Sequence, residues 1–443
     1  MPYKDQVVCV IGAQWGDEGK GKVVDILGEN SDYIVRYQGG NNAGHTIVIE
    51  GKKYTFHALP SGVLRGKRSL IASEVVLDPR QLTEEIKNFG GDVNLGIDPR
   101  TAIIMPWHND LDIARENARK KSTGSEIGTT ARGIGPCYED DRNRSGIRFH
   151  ELVGDAKTLE KRIKEVYEIK KKTLEHVYDQ EMSQDLGQVV AQYLLFSVHL
   201  GKYLADVSEE VYEALKTGKK VIFEGAQGTL LDLKLGNYPK VTSSHPMSGA
   251  VFDSVGIAPM SMRTIGIIKA YVTKVGSGPV VTCLDKGLWP VDESQSTPEG
   301  NYIREKGMER GTTTNRPRRV GWMDVVALNY THRLNGFTEL ALTKLDCLSG
   351  LDKVKLAVAY KHGHMKGIKK YKAWDIEYLN ECEPIYEEFD GFGEIRGITK
   401  YKKLPKNARN YIERIEELIG APITIISTGP GREETIYRKF KKF

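Results

Sequence analysis

The sequence predicts a single large α/β domain: a central, mostly parallel sheet flanked by helices, with a phosphate-cradling first strand–helix turn and a helical insertion. Two observations carry that expectation. Short apolar runs ending in glycine or a polar turn alternate with amphipathic helical stretches along all 443 residues, and such alternation builds parallel sheets covered on both faces. The first run, Gln6 to Ile11, also opens into a glycine-rich turn with the spacing of a phosphate loop.

Taken in order, Gln6 to Ile11 reads as a buried strand, Gly12 to Lys22 as a glycine-rich turn and Val23 to Leu27 as the start of a helix. Tyr33 to Tyr37 reads as a strand, and Thr46 to Ala58 as a hairpin turning at Glu50-Gly51-Lys52. Pro79 to Phe89 and Asn109 to Lys121 read as helices, and Thr123 to Arg148 as a long loop. Residues 155–216 are helical almost throughout and form the expected insertion. Lys219 to Phe223 returns to strand. Beyond it come a strand at Thr264 to Val275, a helix at Trp322 to Leu334, and strands at Glu339 to Leu342 and Lys353 to Tyr360. The last elements are a helix at Pro405 to Ile419 and a strand at Ile423 to Ile426. No repeat or linker divides the chain, so residues 1–443 are expected to form one domain.

Composition narrows the function. Hydrophobic content of 40% and charged content of 28% are those of a globular protein. The net charge of +5 is mild, and no block of five like charges is present, which argues for phosphate ligands over nucleic acid. No run of 18 apolar residues spans a membrane. Five cysteines without a C-x-x-C pair suggest neither a disulfide framework nor a zinc site, and point to a reduced, cytoplasmic compartment.

Counted from Gly16, the first turn reads G-x-x-x-x-G-K through Asp17, Glu18, Gly19, Lys20, Gly21 and Lys22. Glycines let backbone N–H groups converge on phosphate, and the following helix adds its dipole. Val23 stands where a phosphate loop normally has a Mg²⁺-binding hydroxyl, while an acidic pair sits inside the loop. A carboxylate there repels polyphosphate unless it binds metal or takes a proton, which makes Asp17 a candidate for chemistry. Near the other end, Thr343-Lys344-Leu345-Asp346 follows a strand. A carboxylate at that edge accepts from guanine N1–H and the 2-amino group, which adenine cannot offer, and the stem of Lys344 is placed to cover the base. His45 lies in a glycine-flanked loop, suited to donating to a phosphate. Gly128 to Pro136 and Glu224 to Thr229 add polar turns after or near strands. Gly311 to Arg319 combines threonines with arginine forks suited to carboxylate or phosphate.

Together these segments resemble the adenylosuccinate synthetase family, GTP-dependent ligases that join IMP to L-aspartate on the way to AMP. The resemblance runs from Val8 to about Thr435 through QWGDEGKGK, RYQGGNNAGHT, GTTARGIGPCYED, FEGAQGTLLD, YPKVTSS, IKAYVTKVGSGP, RPRRVGW, LTKLD and ISTGPGREET, in family order. It implies that Asp17 removes the N1 proton of IMP and, with the Gly44 carbonyl, holds Mg²⁺. It also implies that His45 stabilises the transferring phosphate, with Lys20 and Gln227 as further catalytic residues. GTP is expected on Gly16 to Lys22, Gly44, His45, Thr46, Arg318, Lys344, Leu345, Asp346, Ser427, Thr428 and Gly429. IMP is expected against Asp17 to Lys20, Asn42, Ala43, Gly44, His45, Thr130, Gln227, Thr242 and Arg316. Aspartate is expected on the loop Thr312, Thr313, Thr314, Asn315, Arg316, Pro317 and Arg318. In the family the counterpart of Arg144 reaches the IMP of a neighbouring subunit, which implies a homodimer. The sequence departs from the usual pattern at Asn315, at Ala131 and over His245 to Ala250.

Overall fold

A computed structural model describes residues 6–49, 51–124, 128–285, 289–311 and 316–438. Its centre is a nine-stranded sheet. From one edge the order is Thr435–Tyr437, Ile423–Ser427, Glu339–Thr343, Arg263–Lys269, Val7–Gly12, Val221–Glu224, Tyr33–Arg36, Arg68–Ile71 and Leu95–Ile97. Every neighbouring pair is parallel except the Thr435–Tyr437 edge strand, which runs antiparallel to Ile423–Ser427. This is the expected covered parallel sheet.

The physical cause is plain in the central strand. All six residues of Val7–Gly12 are buried, as a strand covered on both faces requires. Alternate side chains serve different layers. Val7, Cys9 and Ile11 join one core cluster with Phe223, Leu340 and Ile412. Val8 and Val10 join another with Val23, Val24 and Leu27 from the helix Lys20–Gly28.

Residues 155–216 fold as the helices Ala156–Tyr178, Leu186–Leu200 and Val207–Lys216, each capped by an aspartate side chain at Asp155, Asp185 or Asp206. The first two pack their apolar faces into a core cluster with Trp107, Phe149 and the sheet residues Ile71, Leu95 and Ile97, whereas Val207, Val211, Ala214 and Leu215 of the third join the main cluster. Three expectations need correction. The stretch Thr123 to Arg148 is not one loop, since it contains the helix Ile134–Asn143 between two left-handed residues, Gly133 (φ 69°) and Arg144 (φ 63°). Thr264 to Val275 is two strands, because Arg263–Lys269 stays in the main sheet while Val272–Lys274 leaves it to pair with Arg319–Gly321. The helix read as Trp322 to Leu334 is Val325–Asn335, started by the Asp324 carboxylate accepting from Ala327 N.

A second sheet was not foreseen. Lys353–His362 pairs with Met365–Ile368, Glu383–Asp390 and the short strand Met323–Asp324. The acidic strand Glu383–Asp390 is held partly by charge: Lys353, Lys355 and Lys361 pair with the residues directly opposite them, Asp390, Glu388 and Glu383.

Candidate active site

Parallel strands all end at one sheet edge, and there the loops form a single cleft of about 1490 Å³. The first loop is shaped by left-handed backbone at Gly16 (φ 86°), Asp17 (φ 57°) and Gly19 (φ 85°). The last of these starts the helix at Lys20. The two acids of the loop separate into different jobs. The Glu18 carboxylate is fully buried, accepts from Gly16 N (2.8 Å) and Gln14 N (3.1 Å), and pairs with Lys20 at 2.8 Å. It pins the turn from behind and does not line the cleft. Asp17, by contrast, keeps 38% of its side chain exposed in the cleft and meets Arg318 at 2.9 Å. Thr343 Oγ1 donates to the Glu18 carbonyl at 2.6 Å, which ties this loop to the strand bearing the base reader.

His45 begins the strand His45–Ile49 and is buried. Its Nδ1 is committed to Glu224 at the end of Val221–Glu224, and Glu224 also accepts from Ser61 N at 2.9 Å. Burial would raise the Glu224 carboxyl, but His45 and Ser61 hold it below its ordinary value. That leaves His45 Nε2, a buried polar atom without a hydrogen-bond partner, on a side chain that lines the cleft. Gln227 Oε1 and Thr242 Oγ1 are in the same condition, while Gln227 Nε2 donates to Asn42 Oδ1 at 2.8 Å. Buried polar atoms are normally paired, and several unpaired ones on one cleft mark where a polar ligand sits.

Arg318 is fixed by a carboxylate that sequence reading did not single out. Glu309 is fully buried and receives Arg318 (2.7 Å), Lys344 (2.6 Å), Lys269 (3.0 Å) and the Tyr271 hydroxyl (2.6 Å). Burial opposes its ionisation, yet the three cations hold it well below the usual carboxylate range. Lys344 therefore turns its ammonium onto Glu309 and the Gly307 carbonyl while its stem stays in the cleft. Asp346 stands at the same end, its carboxyl raised by burial and partly restored by Lys22 and Lys344. Burial pulls Lys22 down to about 8 against the carboxylates of Glu434, Asp346 and Glu433. It donates to Ser427 Oγ (2.7 Å) and Gly429 O (2.8 Å), bracing the phosphate loop against the C-terminal segment.

Most residues singled out from sequence thus meet in one cleft: Gly16, Asp17, Gly19 to Lys22, Asn42 to Thr46, Thr130, Gln227, Thr242, Arg318, Lys344, Asp346, Ser427 and Gly429. Others do not line it. Glu18, Leu345 and Thr428 are buried behind it, with Thr428 Oγ1 donating to Ile398 O at 2.9 Å. Arg144 is exposed and, like Arg316 and Pro317, lies outside its lining. Thr312, Thr313, Thr314 and Asn315 fall outside the described residues. Glu224 opens a turn that the sequence marks at a strand end, and its signal is an acid closing an otherwise apolar strand, but its pairing with His45 is not legible there. Glu309 had no signal, because its partners come from positions 269, 271, 318 and 344.

Among the described residues no group of three or more His, Cys, Asp or Glu side chains is placed to enclose a metal. That suits Mg²⁺, which takes one or two carboxylates and completes its shell with phosphate oxygens and water. Asp17 and Gly44, both lining the cleft, offer hard oxygen donors of that kind.

A family profile described as adenylosuccinate synthetase matches residues 9–436. An adenylosuccinate synthetase of Clostridioides difficile is 45% identical over 441 residues, covering 98% of this chain and 99% of its own. The structure of fully ligated adenylosuccinate synthetase from Plasmodium falciparum superposes with a TM-score of 0.90 at 37% identity, over 98% of this chain and all of that one. A cyanophage S-2L succinoaminodeoxyadenylate synthetase, bound to dGMP and dATP, shares the fold alone. Its TM-score is 0.59 at 18% identity, over 98% of this chain and 95% of its own.

Proposed function

Because this chain belongs to the adenylosuccinate synthetase family, we propose that its cleft is where GTP, IMP and L-aspartate react, with Asp17 as proton acceptor and His45 as phosphate stabiliser. The reaction is the GTP-dependent, Mg²⁺-requiring ligation of IMP with L-aspartate to adenylosuccinate, GDP and phosphate, on the route to AMP.

Purine O6 is a poor leaving group until phosphorylated. In the proposed sequence Asp17 takes the proton from IMP N1, and the released electron pair raises the nucleophilicity of O6. O6 then attacks the γ-phosphorus, and the bond to the β–γ bridging oxygen breaks to release GDP. The amine of aspartate next adds to C6 of the 6-phosphoryl intermediate, loses a proton, and expels phosphate carrying the former O6. General-base help of this kind is typically worth about 10² to 10⁴ in rate, and positioning with charge stabilisation supplies most of the rest.

The observation that carries the assignment is the pairing of an exposed Asp17 carboxylate with the partnerless Nε2 of His45 in one cleft. Glu224 orients the ring and balances the charge of its protonated form, so that Nε2–H donates to a transferring phosphoryl oxygen. The Asp17 carboxylate and the Gly44 carbonyl would hold Mg²⁺, which would supply neutralisation of the phosphate charge. Lys20, whose ammonium meets Glu18 and the Gln227 carbonyl, holds the two loops around the reacting groups. Asp346 reads guanine. Asn42, Thr130, Gln227 and Thr242 hold IMP, joined by Arg316, and the segment Thr312 to Arg318 grips aspartate.

We treat the chain as one catalytic unit acting as a homodimer, in which the outward-facing Arg144 completes a neighbour's site. No described helix is long and apolar enough to cross a membrane, and we assign the activity to the cytoplasm, which cell fractionation with an activity assay tests. The function itself is tested by mixing enzyme with IMP, GTP, Mg²⁺ and L-aspartate. A succinyl-purine absorbance change dependent on all three substrates is expected. GTP hydrolysis indifferent to IMP and aspartate would point instead to a nucleotide switch.

A further inference from the structure

The ribbon that carries the Arg310 to Arg319 loop holds a basic pair with no part in the chemistry above. Val272–Lys274 runs antiparallel to Arg319–Gly321, and Lys274 stands directly opposite Arg319. The two are only 3% and 5% exposed. Like charges facing each other across a ribbon repel, and a buried ammonium is costly unless hydrogen-bonded and paired.

Arg319 is partly served. Its Nη2 donates to the carbonyls of Gly276 (3.1 Å) and Gly278 (2.7 Å), both neutral, while its buried Nε has no partner. Lys274 has no hydrogen bond or ion pair to any described residue. The charged groups acting on it are both cations, Arg319 and Lys240, and with burial foremost they push its ammonium down to about 7. Glycine at position 278, with φ of 106°, lets the lysine stem pass, because a Cβ there would lie 3.1 Å from Lys274 Cε. The side chain lines the same cleft as Asp17, Thr130 and Thr242. Among the described residues the site is thus a buried cation without a counter-charge, opening on the cleft.

We propose that Lys274, backed by Arg319, is an oxyanion subsite that receives the second carboxylate of the dicarboxylic amino-acid substrate. This rests on the reading of the cleft as the place where L-aspartate binds. Two features favour a carboxylate of that substrate over a phosphate. The strand bearing Arg319 continues directly from the segment that grips aspartate. GTP phosphates already have the glycine loop. Aspartate carries two carboxylates and asparagine one, so a buried cation left unmatched by asparagine discriminates strongly between them.

The test is steady-state kinetics on the wild-type enzyme and on Lys274→Met, which keeps the stem and removes the charge. Wild-type turnover of IMP, GTP and L-aspartate comes first, because its absence overturns the reading of the cleft itself. Given turnover, Lys274→Met is expected to raise KM for aspartate at least tenfold, with KM for GTP and IMP within twofold and Lys274→Arg recovering most of the loss. An unchanged aspartate KM overturns the subsite, and a rise in IMP KM alone assigns the cation to a phosphate and overturns it equally. A second measurement needs no variant: cyanate carbamylation of Lys274 in the wild-type enzyme with GDP and IMP, followed by peptide mass spectrometry. L-aspartate is expected to slow that modification several-fold, and equal rates with and without it contradict the proposal.

Discussion

Replacing Glu309 by glutamine removes one negative charge and leaves its shape. The structure sets the size of the effect. Lys269 is almost fully buried, Arg318 is 11% exposed and Lys344 30%, and all three direct their charge at this one carboxylate. Removing one partner of a buried ion pair costs about 3–5 kcal/mol because the survivors stay buried without compensation. Unfolding entropy of about 2.1 cal/mol/K per residue over 443 residues means that about 1 kcal/mol moves the midpoint by roughly 1 °C. Glu309→Gln is therefore expected to lower Tm by about 3–5 °C in a calorimetric or circular-dichroism melt at pH 7. The pH dependence has a definite sign. The folded-state pKa of Glu309 is depressed, so its stabilisation is complete above the unfolded value of about 4.3 and fades as pH falls through the folded value. The Glu309 contribution to the gap between wild type and Glu309→Gln should thus be present at neutral pH and narrow in acid. Since Glu309 fixes Arg318 beside Asp17 and Lys344 beside Asp346, kcat/KM is expected to fall as well, about tenfold or more. A variant with unchanged Tm and unchanged kinetics would refute the idea that one buried carboxylate aligns both ends of the cleft.

Two further substitutions test the proposed contacts. Asp346→Asn should shift nucleotide preference from GTP towards xanthosine triphosphate, because an amide donates to the 2-oxo group, and competition kinetics that show no shift would place base reading elsewhere. Arg144→Leu should lose most activity alone and regain part of it when mixed with an inactive Asp17→Asn partner. Absence of complementation between subunits shown to have exchanged would mean that each site is self-contained.

What the sequence made legible follows from how locally each feature is encoded. Val7–Gly12 announces itself because a strand buried on both faces needs an unbroken apolar run. Asp17 is legible because its glycine neighbours fix the turn within a few residues. The helix Ile134–Asn143 is not, since IGPCYEDDRN has glycine and proline in its first turn and carries few apolar residues to reveal a 3.6-residue period. Glu383–Asp390 hides likewise: its acids look like solvated surface until Lys353, Lys355 and Lys361 are seen opposite them. The acidic pair of the first loop shows the limit most clearly. Sequence places Asp17 and Glu18 side by side, but only the fold shows that Glu18 turns inward to hold the loop while Asp17 faces the cleft. Glu224 and Glu309 act through partners far along the chain, and no local pattern encodes such a meeting.

In the proposed reaction, Asp17 takes the purine proton so that O6 can accept phosphate. Its direct test uses IMP labelled with ¹⁸O at O6, GTP and L-aspartate, with the released phosphate analysed by mass spectrometry. The wild-type enzyme is expected to deliver the label into phosphate. Asp17→Asn, shown by equilibrium binding to retain GTP within about tenfold, is expected to release at least about 10²-fold less labelled phosphate. Labelled phosphate formed by Asp17→Asn at a rate near that of the wild type would contradict the central claim.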